Sequence, residues 1–205
     1  MNRKGNEYPE VNIILYLIEM IRNAADRILN PILLTAHGVR CDGSVKGIRG
    51  IPTIRRSRRG GIRIGKDFRA NAGRSRNMIG SGSCLLLRTV GEGQIRIGDR
   101  VGMSNCAIVS YDNVTIGDDV MIGGGVRIWD SDFHPTDFAA RTSDYTDSGA
   151  HAPVTIGNGA FIGADSLILK GVTIGEKAVI GAGSVVTKDV PAGETWAGNP
   201  ARKIK

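Results

Sequence analysis

The chain has 205 residues, 41% of them hydrophobic, which allows one sizeable buried core with an appendage. Aromatic residues make up only 5% while glycine occurs 29 times, so that core must be aliphatic and built on a backbone that wants glycine often. The net charge of +7 is local, because Lys46, Arg49, Arg55, Arg56, Arg58, Arg59, Arg63, Lys66, Arg69, Arg74 and Arg76 face Asp67 alone in residues 46–76.

Three cysteines, Cys41, Cys84 and Cys106, are odd in number and show no CxxC or Cys/His metal spacing, which argues against a disulfide framework or a zinc site. The N-terminus has no signal-peptide pattern, and the apolar run from Ile13 to Ile18, closed by Asn12 and Glu19, is far short of the roughly 20 residues of a spanning helix. A cytoplasmic protein is expected.

In chain order, residues 1–45 read as a helical cap. Residues 10–35 form an amphipathic helix with Val11, Ile14, Leu15, Ile18, Ile21, Ala25, Ile28 and Leu29 near helical spacing and an end near Asn30-Pro31. Its apolar side is expected to cap the fold, or to touch the inner face of a membrane, since Ile13, Leu17 and Met20 widen the stripe. Residues 46–94 are basic and hold one or two imperfect first turns of a repeat.

Residues 95–190 carry the regular repeat. Ile156, Ile162, Ile168, Ile174, Ile180 and Val186 recur every six residues. The same step appears at Ile116, Ile122 and Ile128 and at Ile97, Met103 and Val109, with an extra residue between the two blocks. A longer pattern recurs as Ile62-Arg63-Ile64-Gly65, Ile95-Arg96-Ile97-Gly98, Val114-Thr115-Ile116-Gly117, Val154-Thr155-Ile156-Gly157 and Val172-Thr173-Ile174-Gly175. Period six scatters these residues around a 3.6-residue helix, so three hexads make one coil of a triangular β-prism with aliphatic ladders inside. The corner pairs Gly98-Asp99, Gly117-Asp118 and Gly157-Asn158 suit positive φ. Residues 191–205 form a tail that leaves the repeat at Val190-Pro191.

The repeat is broken between Ile128 and Ile156, where about ten extra residues must project, giving a loop bounded as 130–153 that follows Trp129 and opens with Asp130-Ser131-Asp132-Phe133-His134-Pro135. The histidines of the chain are His37, His134 and His151. His37 reads as structural or solvated, and His151 as a loop anchor.

These hexads, the loop His-Pro pair, and the runs Gly181 to Asp189 and Ala197 to Arg202 resemble the hexapeptide-repeat acyltransferases. Residues 95–204 look like the maltose, galactoside and nodulation-factor O-acetyltransferase branch, in a form acting in surface-polysaccharide assembly. The resemblance implies an all-β left-handed parallel β-helix with an N-terminal α-helix and a protruding loop, assembled as a homotrimer. It implies acetyl transfer from acetyl-CoA to a sugar hydroxyl, with His134 as the base that takes the hydroxyl proton. Asp130, Asp132, Asp137 or a backbone carbonyl would orient His134. By the same resemblance Asn105 contacts the acceptor, and Ala164, Ala182, Thr187, Lys188 and Arg202 contact coenzyme A, the last two suiting its phosphates. Phe161 stands where the family often has tryptophan beside the cofactor arm.

N-acetylation of an amino sugar uses the same base and donor and stays open, as does a non-catalytic β-helix scaffold. A γ-type carbonic anhydrase on this scaffold would need three histidine ligands; the spacing of His37, His134 and His151 does not match, and no metal is expected. The basic segment could attract a lipid-linked or nucleotide-linked sugar. Nucleic acid is not expected, since a single aromatic, Phe68, lies among the basic residues of this segment.

Overall fold

A computed structural model describes residues 13–73, 76, 79, 84–143 and 147–205. Val11 and Arg74, which entered the sequence reading, lie outside the described residues.

Each hexad contributes one short strand, and three strands make a coil. The first coil holds β1 (Arg40–Cys41), β2 (Gly47–Arg49) and β3 (Thr53–Arg55), and the second β4 (Gly61–Ile64), β5 (Arg69–Asn71) and β6 (Leu86–Thr89). The third holds β7 (Gln94–Ile97), β8 (Gly102–Ser104) and β9 (Ala107–Ser110), and the fourth β10 (Asn113–Ile116), β11 (Met121–Ile122) and β12 (Arg127–Trp129). The fifth holds β13 (Val154–Ile156), β14 (Phe161–Ile162) and β15 (Leu167–Ile168), and the sixth β16 (Thr173–Ile174), β17 (Val179–Ile180) and β18 (Val185–Val186). Strands stack parallel into three faces, β1-β4-β7-β10-β13-β16, β2-β5-β8-β11-β14-β17 and β3-β6-β9-β12-β15-β18. This is the parallel β-helix expected from the repeat, left-handed as the resemblance implies, and two of its coils precede residue 94.

The register makes the aliphatic ladders explicit. Ile64, Ile97, Ile116, Ile156 and Ile174 are neighbours up the first face, and Leu87, Ile108, Ile128, Ile168 and Val186 up the third. All ten are buried, each removing an apolar side chain from water for about 1.5–3 kcal/mol. The third-face ladder passes through Ile108, one residue before the Val109 expected from strict period six, because the corner at Asn105 is a residue shorter than its counterpart at Gly123-Gly124-Gly125.

The corner glycines serve a different purpose from the one expected. Positive φ falls one residue later than the Asp or Asn of each pair, at Arg100 (56°), Asp119 (58°) and Gly159 (67°), while Gly98, Gly117 and Gly157 are not in that region. Instead, a Cβ on Gly157 would stand 2.7 Å from the Glu176 nitrogen of the next coil, and one on Gly117 2.3 Å from Asn158 Oδ1. Those side-chain oxygens cap backbone donors of the preceding coil: Lys66 N–H donates to Asp99 Oδ1, Asp99 N–H to Asp118 Oδ1 and Asp118 N–H to Asn158 Oδ1 at 2.7, 2.8 and 2.9 Å.

The helix α1 (Ile13–Ala36) runs through Pro31 rather than ending there. An interior proline costs about 3 kcal/mol, and the tertiary contacts of neighbouring residues offset it. Asn30 Nδ2 donates to the Ile48 and Gly50 carbonyls, both at 3.1 Å, on the open edge of β2; Asp26 Oδ2 accepts from Gly50 N–H at 2.7 Å; Leu34 enters the core. The face turned to the prism is therefore polar, and the expected apolar side is exposed: Ile14, Leu15, Ile18, Ile21, Ile28 and Leu29 all face outward.

The tail re-enters the fold. β19 (Thr195–Gly198) extends the second face beyond β17, and β20 (Ala201–Lys203) returns antiparallel to it. Trp196 packs against the last coil, and Glu194 accepts from Trp196 Nε1 (2.8 Å) and Lys203 Nζ (2.6 Å).

Candidate active site

The loop expected between coils four and five leaves the prism where β12 ends, at the edge between the third and first faces. Its base is a short antiparallel ribbon, in which Asp132 N–H donates to the Ala150 carbonyl and Ala152 N–H to the Asp130 carbonyl, with Ser131 bridged to His151. Asp130 locks that ribbon to the prism. Its buried carboxylate accepts from Ser110 Oγ (2.7 Å), Tyr111 N–H (2.7 Å) and Asp112 N–H (2.9 Å).

Beyond the ribbon, Phe133 adopts φ of 65°, a region that bulky residues avoid. It is wedged edge-on between Trp129 and Tyr111, with ring centroids 5.2 and 5.9 Å away. Strain of this kind, of order 1–3 kcal/mol, persists only where packing over-determines it and tends to gather at functional sites. The consequence is that the next residue, His134, turns its side chain to solvent. Its carbonyl packs on Gly149, where a Cβ would approach to 2.4 Å.

None of the acidic candidates for orienting His134 does so. Asp130 is committed as described, Asp132 pairs with Lys170 Nζ at 3.2 Å, and Asp137 Oδ1 accepts from Ala140 N–H at 2.8 Å at the start of α2 (Phe138–Ser143). Among the described residues the His134 imidazole makes no hydrogen bond. His151 lies at the ribbon base, exposed, beside Tyr111 and Asn113. His37 offers its backbone carbonyl to Arg56 Nε at 2.8 Å.

A second group of expected residues lies on a different edge, between the second and third faces. Asn105, Gly123, Ala164, Ala182 and Ala197 stack there coil upon coil: Gly125 N–H donates to the Asn105 carbonyl, and Gly183 N–H to the Ala164 carbonyl, at 3.2 and 2.8 Å. This edge is smooth because its side chains are small. Ala164 and Ala182 reach its surface, and among the described residues neither backbone N–H has a hydrogen-bond partner. Asn105 does not reach the surface. It is fully buried, in a left-handed conformation (φ 42°), and its amide donates to the Gly73 carbonyl at 2.9 Å. Its amide nitrogen is thus engaged with the corner backbone in this structure.

Thr187 and Lys188 follow β18, on the same edge as the loop, and both are exposed; Arg202 projects from β20 with its guanidinium on the Ala201 carbonyl (2.8 Å). One prism thus carries the loop histidine on one edge and the small-residue corner on another, separated by the third face. No group of three His, Cys, Asp or Glu side chains is placed to hold a metal among the described residues, and no helix described is long and apolar enough to cross a membrane.

What the sequence reading missed is the anchoring by Asp130 and Lys170 and the strain at Phe133. The signal for Asp130 was present, since an acidic residue follows an inward strand directly at the point where the period breaks.

The profile of the family described as "Hexapeptide repeat of succinyl-transferase" matches residues 153–188. Nodulation protein L of Rhizobium leguminosarum bv. viciae is 52% identical over 109 residues, which are 53% of this chain and 55% of that protein. Among solved structures, a hexapeptide-repeat-containing acetyltransferase of Vibrio cholerae, complexed with acetyl coenzyme A, aligns with a TM-score of 0.51 and 34% identity over 54% of this chain and 59% of that one. The polySia-specific acetyltransferase NeuO aligns with a TM-score of 0.52 and 28% identity over 82% of this chain and 69% of that one. The chain spans about half the length of the curated relative it matches.

Proposed function

We propose that this chain, which is similar to hexapeptide-repeat acetyltransferases, transfers an acetyl group from acetyl-CoA to a hydroxyl of a sugar or glycan precursor in surface-polysaccharide assembly. The observation that carries this reading is the loop itself: a solvent-facing imidazole held next to a strained Phe133 on a ribbon that Asp130 bolts to a rigid prism.

In the proposed reaction His134 accepts the acceptor hydroxyl proton as that oxygen attacks the thioester carbonyl. The C–S bond then breaks, and the imidazolium returns the proton to the departing thiolate. The unpartnered N–H groups of Ala164 and Ala182 suit the amide carbonyls of the pantetheine arm and the oxyanion. Thr187, Lys188 and Arg202 suit the phosphates of coenzyme A. Asn105 supports the corner on which Ala164 and Ala182 stand.

The two edges meet only if prisms sit side by side, so a homotrimer with its sites between neighbours is part of the proposal. Met121 and Phe161, neighbours in register on the outer side of the second face and 61% and 44% exposed, give a second copy an apolar contact. We also place the protein in the cytoplasm, with the exposed apolar residues of α1 touching the inner face of the membrane.

The test is release of free thiol from acetyl-CoA in the presence of a panel of sugars, nucleotide sugars and amino sugars, together with the sedimentation coefficient. Acceptor-dependent release by a trimer is expected; no release with any acceptor would favour a scaffold role.

A further inference from the structure

The outward side of the first face carries a column of like charges. Arg40 of β1 pairs in register with Arg63 of β4, and Arg63 with Arg96 of β7. Neighbouring strands lie about 4.8 Å apart, and like charges directly opposite one another destabilise a sheet. Compensation is thin. Arg63 Nε donates to Asp42 Oδ2 at 2.8 Å, Arg96 donates to the neutral Asn113 Oδ1 at 2.7 Å, and Arg40 has no acidic partner among the described residues.

These arginines line a cleft of about 520 Å³. Its floor is open because residues 60 and 61 are glycines: a Cβ on Gly61 would stand 2.3 Å from Gln94 Oε1. Arg56 is on the wall but is occupied, holding the His37 and Gly60 carbonyls at 2.8 and 2.9 Å. Gln94 and Arg96 also line a second hollow, of about 560 Å³, with Glu92, Tyr111, Asp112, Asn113 and His151, and the two carboxylates there suit the uncharged part of a ligand rather than its anionic groups. The two hollows therefore share a wall and form one track, running from the arginine column to the ribbon that carries the His134 loop.

We propose that this track binds an anionic glycan, with its phosphate or carboxylate groups on Arg40, Arg63 and Arg96 and its neutral sugar toward the loop. A guanidinium pairs with either group through two parallel hydrogen bonds, and a bound anion would relieve the repulsion within the column. The anion site stands independently of catalysis; that its occupant is the acetyl acceptor rests on the acetyltransferase reading.

The test is direct binding by the full chain of two fluorescent probes, an oligogalacturonate bearing a carboxylate on each sugar and a uridine diphosphate sugar. Wild type is compared with the triple variant Arg40→Gln, Arg63→Gln, Arg96→Gln and with Arg55→Gln, Arg88→Gln, a pair in register on the third face. Wild type should bind at least one probe, more weakly as salt rises, and the triple variant should lose at least about tenfold while the third-face pair changes little. The better probe identifies the source of the charge, an acidic polymer or a diphosphate-linked precursor. Binding of neither probe, equal binding by the triple variant, or an equal loss in the third-face pair would overturn the proposal. Acetyl-CoA turnover measured on the same samples keeps the two readings separate: turnover without anion binding sinks the track alone, and anion binding without turnover sinks the acetyltransferase reading alone.

Discussion

Asp130→Ala should detach the loop from the prism while leaving the coils intact. The wild-type carboxylate accepts from the Tyr111 and Asp112 N–H groups and from Ser110 Oγ. Hydrogen bonds to a charged group contribute about 1.5–3 kcal/mol each, and a buried donor left unpaired costs about 1–3 kcal/mol. Ser110 can turn its hydroxyl wholly to the Gln94 carbonyl, 2.9 Å away, so the loss falls on the two backbone donors. The expected destabilisation is about 3–5 kcal/mol, allowing for non-additivity. Amide hydrogen exchange at Ala152, whose N–H donates to the Asp130 carbonyl, reads it locally: about 3 kcal/mol corresponds to a rise of roughly 10²-fold in exchange rate. Asp137→Ala, which removes only an exposed cap on α2, serves as the control. If Ala152 exchanges in the Asp130 variant as slowly as in that control, the loop is held by something other than this carboxylate.

Three further outcomes follow from the packing and the titration of individual groups. Gly163→Ala puts a Cβ 2.5 Å from the Ala182 nitrogen, whereas Gly102→Ala meets nothing within 4 Å, so urea unfolding should show a loss of about 1–3 kcal/mol for the first and far less for the second. Lys203 Nζ, and then Trp196 Nε1, hold the Glu194 carboxyl below the usual carboxylate range. Its contribution is therefore present above the unfolded-state value and lost as pH falls through the lower folded one; Trp196 fluorescence should report an acid transition that Glu194→Gln removes. Burial pushes the Cys106 thiol up to about 12, so a thiol reagent at neutral pH should label Cys106 only as the protein unfolds.

The coils were legible because a β-prism repeats its environment. A position that must be a buried aliphatic in one coil must be so in the next, and Ile156 to Val186 display that directly. Arg63 and Arg96 were legible in the same way, occupying one slot of the recurring Ile-Arg-Ile-Gly pattern, though only the register showed that Arg40 completes the column. The corner glycines illustrate the limit of local reasoning. Sequence suggests φ, while the actual constraint at Gly117 and Gly157 is an atom of the next coil, a contact between residues far apart in the chain. The helix misled for a related reason. Its apolar periodicity is real, but Asp26 and Asn30 are the side chains that can satisfy the open edge of β2, so the polar face docks. The anchoring of Asn105 to the Gly73 carbonyl and of Asp130 to Ser110, Tyr111 and Asp112 was not legible, because hydrogen bonding across coils leaves no mark in a single hexad.

The central claim is that the imidazole of His134 moves the proton of acetyl transfer. The most direct measurement is kcat for thiol release from acetyl-CoA with the best acceptor, comparing wild type with His134→Ala in samples matched for sedimentation coefficient and acetyl-CoA affinity. A fall of roughly 10²–10⁴-fold in the variant is predicted; turnover equal to wild type would remove His134 from the chemistry and contradict the account.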